Sequence, residues 1–213
     1  MDEAGRGSVL GPLVVGGFCC AADRLPDLAA TGVRDSKALS PERRNAVYSR
    51  LRAIGERRSF ALAPRTIDRY VARGGLNELE LETFATLVRA LRPDVAYVDA
   101  CDPNAERFGR RLASLAGITT RIVSRHHADR DVPVVSAASV VAKVRRDAAL
   151  ERLRRGAEEA LGSGYPSDPA TQECVRRHVS DGGRVPPWMR RSWATVQRVK
   201  RARPARTLDG GDG

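Results

Sequence analysis

The feature that most restricts what this 213-residue chain can fold into is a short apolar run, Val95-Ala96-Tyr97-Val98, set between two longer segments with helical periodicity. A four-residue run of this kind, bounded by Arg92-Pro93 and followed by Asp99, reads as a buried strand. Before it, Asn77-x-x-Glu80 has the form of a capping box opening a helix to about Leu91, and after it Pro103 to Leu115 reads as a helix. Ile118 to Val123 then reads as a strand, and Ser136 to about Leu161 as a long helix carrying Val140, Val141, Val144, Ala148, Leu150 and Leu153 on its apolar side. Upstream, Val9 to Cys20 predicts a strand region with a turn or bulge at Gly11-Pro12. Ser40-Pro41 starts a helix that runs to about Ile54 and stops at Gly55, and Arg58 to Leu62 predicts another strand. Strands alternating with helices predict an α/β fold with a central mixed sheet flanked by helices. Gly162 to Pro169 is turn-rich, and two shorter helices are expected near Pro169–Val179 and Trp188–Arg201. The predicted organisation is therefore a main domain over 1–161, a small C-terminal helical region over 162–202 and a disordered tail over 203–213.

Several function classes are excluded early. The longest apolar stretch, Val9 to Ala22, is broken by Gly11, Pro12, Gly16 and Gly17, so no bilayer span is expected. The start, Met-Asp-Glu, is unlike a signal peptide, so a cytoplasmic location is expected. The four cysteines, Cys19, Cys20, Cys101 and Cys174, make no C-x-x-C pair and are expected to be buried thiols. The net charge of +11 favours polyanionic partners, nucleic acid first, although arginine-rich codon usage also produces such a surplus. Only three of the 37 basic residues are lysines, Lys37, Lys143 and Lys200. A lysine surviving in such a background suggests a compact point charge that arginine cannot replace.

The residues that carry chemistry are acidic. Asp2-Glu3-Ala4-Gly5-Arg6-Gly7 places adjacent carboxylates ahead of Gly-x-Gly. Neighbouring side chains on a strand point to opposite faces, so both serve one site only where the backbone turns, which Gly5 and Gly7 would permit. Asp99 ends a buried strand, where α/β folds place ligand sites. Asp129 sits in His126-His127-Ala128-Asp129, just before the long helix. Four carboxylates from separate segments could converge to hold hard divalent cations within a basic surface. Asp102 and Asp131 read as solvent or turn residues, Asp147 as structural, and Trp188 and Trp193 as packing anchors. His126 and His127 lack zinc-ligand spacing and read as neighbours of the site.

These runs resemble the type 2 ribonuclease H family (ribonuclease HII), in the form of its archaeal members. The resemblance rests on Asp2 to Gly7, Asp35-Ser36-Lys37 with Leu39 and Pro41, Asn77-Glu78 through Phe84, Val98-Asp99-Ala100, and His126-x-Ala128-Asp129. It continues through Pro133 to Asp147 and Gly162-Ser163-Gly164-Tyr165-Pro166-Ser167-Asp168-Pro169. It implies the ribonuclease H-like fold, with Asp2, Glu3, Asp99 and Asp129 as catalytic, metal-binding carboxylates for Mg²⁺ or Mn²⁺. It implies that Gly5, Arg6 and Gly7 read a 2′-hydroxyl with Tyr165 stacking nearby and that Lys37 contacts a phosphate near the cut, while the i, i+4 spacing of Ser139 and Lys143 predicts that they share a face toward the nucleic acid. The implied substrates are RNA–DNA hybrid and ribonucleotide-containing duplex DNA, and a monomer is expected. Rivals are a DNA endonuclease on the same fold, disfavoured by Gly5-Arg6-Gly7 with Tyr165, and a non-catalytic hybrid-binding protein, disfavoured by retention of the four carboxylates. Family members carry a few apolar residues before the first Asp. With Asp2 second in the chain, a fraying strand is expected, with an amine beside the metals and weakened metal binding. Thr207-Leu208-Asp209 lacks the Gln and aromatics of a sliding-clamp peptide, so clamp binding through the tail is not expected.

Overall fold

A computed structural model describes residues 1–33, 39–157, 159–180 and 185–202. Strands β1 (Asp2–Ala4), β2 (Leu13–Cys19) and β3 (Glu56–Leu62) form an antiparallel ladder, and β4 (Val95–Asp99) pairs in parallel with β5 (Arg121–Arg125). The two ladders are joined through Met1. Its amine donates to Tyr97 O at 2.7 Å, and its carbonyl accepts from Asp99 N at 3.0 Å, the slanted pattern of parallel neighbours. The resulting order, β3-β2-β1-β4-β5, is the expected mixed sheet. The expected fraying is not observed. Met1 is only 5% exposed and lies in the same apolar cluster as Phe84, Leu87, Val98 and Leu112, because the sheet needs its backbone to bond β4.

Alternation along β2 builds both faces. Val15 packs toward α4 (Leu76–Leu91) and α5 (Ala105–Ala116), whereas Phe18 packs with Ala137, Val140 and Val141 of α7 (Pro133–Arg155) and Val47 and Leu51 of α2 (Pro41–Leu51). At Gly16 a Cβ would come within 2.6 Å of Ala138 O, so only glycine lets α7 lie this close to the sheet. Asp2 is the register partner of Gly16, which puts its side chain on the α7 face and that of Glu3 on the other.

The helix limits differ from expectation in instructive ways. Asn77 and Glu80 do not form a capping box: α4 begins at Leu76 behind Gly75 with no side-chain cap, and both residues turn instead to Arg6. The helix expected from Pro103 begins at Ala105, where Asn104 caps Arg107 N, and the strand expected at Ile118 begins at Arg121. The long helix starts at Pro133 and ends at Arg155, and α9 (Ala194–Arg201) begins after Trp193 rather than at Trp188. Helices α1 (Leu25–Ala30), α3 (Pro64–Val71) and α6 (Ala128–Asp131) had no expectation attached. Helices α8 (Pro169–Ser180) and α9 pack around Val9, Leu10, Leu161 and Met189, so the C-terminal helices share a core with the loop after β1. Of the four cysteines only Cys174 is buried; the others are half-buried, and none forms a disulfide. Among the described residues, no helix is long and apolar enough to cross a membrane.

Candidate active site

The site is assembled from three segments. β1 delivers Asp2, the end of β4 delivers Asp99, and the first turn of α6 delivers Asp129; carboxylate oxygens of the three lie within 4.8 Å of one another. Two bonds fix this geometry. Asp99 Oδ1 accepts from Ala128 N at 3.3 Å, and the fully buried Ser136 hydroxyl donates to Asp129 O at 2.6 Å, tying α6 to α7. His127 holds a left-handed backbone (φ +56°) at the start of α6, and His126 Nε2 lies 3.3 Å from Pro103 O.

Asp2 and Asp129 are buried, so the cluster concentrates negative charge where water cannot dilute it. Burial pushes Asp2 up to about 6; the charge of Asp99 adds to this, while the Ser139 hydroxyl and the chain amine oppose it. Asp99 is raised by burial and by Asp129, against the amides of Ala128 and His127. Burial, then Asp2 and Asp99, push Glu3 up to about 8, with Arg6 opposing. Burial also pushes the Met1 amine down to about 6. Three carboxylates held this close fit a divalent cation: the donor set is all oxygen, and its mutual repulsion is what a cation relieves. Glu3 is outside the three-oxygen group, as its opposite-face placement requires, yet feels both Asp2 and Asp99.

Beside the aspartates runs a groove of about 410 Å³ lined by Glu3, Gly5, Arg6, Gly7, Lys143 and Tyr165. Its floor is the turn after β1, where Gly5 has φ +83° and a Cβ would meet Pro12 O at 3.0 Å. The turn is braced by arginines whose role the sequence did not disclose. Arg190 is fully buried, and its guanidinium donates to Gly5 O (2.7 Å), Arg6 O (2.8 Å) and Gly11 O (3.1 Å) while lying 4.7 Å over the Trp193 ring. Burial and the nearby Arg146 push Arg190 down to about 9. Arg6 pairs with the buried Glu80 and donates to Asn77 Oδ1 at 2.7 Å. Arg146 donates to Ser8 Oγ and Ser163 O, both at 2.9 Å, and sits 4.8 Å over the Tyr165 ring, fixing one wall of the groove. Arg6 and Arg146 lie in runs the sequence already marked, but in a chain so rich in arginine nothing singles out Arg190.

Ser139 does not share the groove surface with Lys143: it is fully buried, behind Asp2. The i, i+4 spacing puts two residues on one side of a helix, but β1 covers the first of them. Asp102, expected as a solvent or turn residue, does form a turn but is 5% exposed, held by Asn104 N and Arg107. Asp147 pairs with Arg44 at 2.9 Å. Lys37 lies outside the described residues.

Residues 1–196 match the family described as Ribonuclease HII. The chain belongs to the ribonuclease HII family. Ribonuclease HII of Cenarchaeum symbiosum is 41% identical over 212 residues, 99% of this chain and 97% of that one. The crystal structure of ribonuclease H2 from Pyrococcus horikoshii superposes with a TM-score of 0.87 at 37% identity, covering 94% of this chain and 95% of that chain. A structure of the PCNA:RNase HII complex from Archaeoglobus fulgidus superposes with a TM-score of 0.85 at 39% identity, covering 93% and 94%. The ribonuclease H-like fold and a ribonuclease H endonuclease activity follow for this chain, and of the three readings weighed on sequence the family supports the ribonuclease. The Archaeoglobus complex bears against the expectation that this chain does not bind a clamp through its tail, and that tail lies outside the described residues.

Proposed function

We propose that this ribonuclease HII chain hydrolyses the RNA strand of RNA–DNA hybrids, and ribonucleotides embedded in duplex DNA, leaving 5′-phosphate and 3′-hydroxyl ends. The observation that carries this reading is the convergence of Asp2, Asp99 and Asp129 beside the Gly5–Gly7 groove. Asp2, Asp99 and Asp129, with Glu3 contributing charge from the other face of β1, would hold Mg²⁺ or Mn²⁺. A pair of such cations supplies Lewis acidity to the attacking and leaving oxygens of an in-line displacement.

The chain's own residues position the substrate. With the Arg6 guanidinium committed to Glu80 and Asn77, and the carbonyls of Gly5 and Arg6 committed to Arg190, the turn offers a ribose its remaining backbone edge. A 2′-hydroxyl is the group that distinguishes RNA from DNA at one position, and a rigid backbone edge next to the scissile phosphate is suited to read it. Tyr165, 37% exposed and backed by Arg146, presents a ring for stacking, and Lys143 and Lys37 supply point charges for phosphates. The experiment is incubation of a DNA duplex holding one ribonucleotide, with and without Mg²⁺, with the cut mapped. Cleavage on the 5′ side of a ribonucleotide, dependent on the cation and absent for all-DNA duplex, is the expected result. Equal cutting of the all-DNA duplex overturns the 2′-hydroxyl reading.

A further inference from the structure

Behind α8, far in sequence from the aspartates, three donors of different chemistry meet. Cys174 Sγ lies 3.9 Å from Glu159 Oε1 and 4.0 Å from His178 Nδ1, and His178 Nδ1 lies 3.2 Å from Glu159 Oε1. We propose that Glu159, Cys174 and His178 form a second metal site, for a zinc-class cation, that clips the segment after α7 to α8.

Zinc–sulfur bonds of about 2.3 Å and zinc–nitrogen or zinc–oxygen bonds of about 2.0–2.2 Å require tetrahedral edges of roughly 3.5 Å to sulfur and roughly 3.3 Å between nitrogen and oxygen. The two separations to sulfur need to close by about half an ångström to meet that edge, and the 3.2 Å between imidazole and carboxylate already meets its own. Cys174 and His178 are one turn apart on α8, the spacing that sets two ligands on one face of a helix. Thiolate, imidazole and carboxylate together select a borderline cation over Mg²⁺. The surroundings are compatible. Arg177 takes the other carboxylate oxygen, Oε2 at 3.5 Å, leaving Oε1 for the metal, and the Trp188 ring holds the imidazole edge-on at 5.2 Å. Cys174 is buried, whereas the side chains of His178 and Glu159 retain 27% and 18% exposure, which gives an entry path and room for a water as fourth ligand. The cation displaces the thiol proton and the bond from His178 Nδ1 to Cys174 O. Because Cys174 shares a core with Val9, Leu10 and Leu161, a bound cation ties the C-terminal helices to the chain entering the Gly162–Tyr165 turn.

The test is Co²⁺ titration of the full chain in saturating Mg²⁺, which occupies the aspartates. One Co²⁺ should bind with a near-ultraviolet thiolate-to-cobalt band and be displaced by Zn²⁺. The band should be lost in Cys174→Ser, and affinity should fall about tenfold or more in His178→Asn. Mg²⁺-dependent cleavage should be unchanged in both variants. Absence of the band in the wild type overturns the proposal, and so does its survival in Cys174→Ser, which would place the metal on other cysteines. If Cys174→Ser does not fold, His178→Asn decides: unchanged Co²⁺ affinity overturns the site.

Discussion

The aspartate cluster and the turn at Gly5–Gly7 are neighbours in space, joined in sequence only through Asp2, yet they are built on opposite electrostatic plans. In the cluster, like charges face one another, and what opposes their repulsion is a few amides and hydroxyls, the chain amine and the His127 side chain. In the turn, nearly every charge has a partner: Arg6 has Glu80 and Asn77, and Arg190 has three carbonyls. The lesson is that unrelieved repulsion is concentrated where an outside cation relieves it, while the element that must hold a shape has most of its charges paired.

The sharpest way to break that contrast is Asp99→Asn. It should reduce cleavage by about 10³-fold or more, since several kcal/mol of barrier lowering depend on the cation this carboxylate helps to hold. The same change should leave hybrid binding in place and not lower the Tm in chelator, because it removes one of the repelling charges. Unchanged cleavage would break the metal assignment. Arg190→Met tests the opposite plan. Stripping the donor from three buried carbonyls should cost about 3–5 kcal/mol in urea unfolding, and Arg190→Lys should restore only part of it. A cost below about 1 kcal/mol would show that the turn holds itself. Glu80→Gln keeps an acceptor for Arg6 but not its charge, so a smaller loss, about 1–3 kcal/mol in the same assay, is expected.

The smallest effect is in the pH dependence. A carboxyl whose pKa is raised on folding favours the native state while protonated, and that contribution is lost as pH rises toward about 6 for Asp2 and about 8 for Glu3. The Met1 amine, pushed down from 8.0 to about 6, works the other way between those values, so the clean window lies between about 4.5 and 6. In chelator the Tm should fall by a few degrees across that window, and saturating Mg²⁺ should raise the Tm more at pH 6 than at pH 4.5. An equal Mg²⁺ increment at both would mean that the carboxylates are not repelling one another.

The alternating strands and helices were legible because burial writes itself into the period of the apolar residues, as along β2, where Val15 and Phe18 serve opposite faces. Asp99 was legible because it ends a short apolar strand, although only Ala96 and Val98 of that strand are buried and Val95 is exposed, and Asp2 and Asp129 because acidic residues stand out beside Gly-x-Gly and ahead of an apolar helix. Asn77 and Glu80 misled. Their spacing satisfies a local rule, but the buried Glu80 carboxylate gains more from the Arg6 charge than from a backbone amide at a partly solvated helix end. Ser139 and Lys143 share a helical side yet lie at different depths, and depth depends on what packs over the helix.

By itself, then, the sequence determined the order of elements, the mixed sheet and the acidic character of the centre, since these follow from local periodicity and residue type. Only the tertiary structure decided that the Met1 backbone bonds to β4, that Arg190 caps the carbonyls of the turn, and that Cys174 and His178 meet Glu159. Those choices depend on contacts between residues far apart in the chain, and no local pattern encodes which distant partner a common residue will meet.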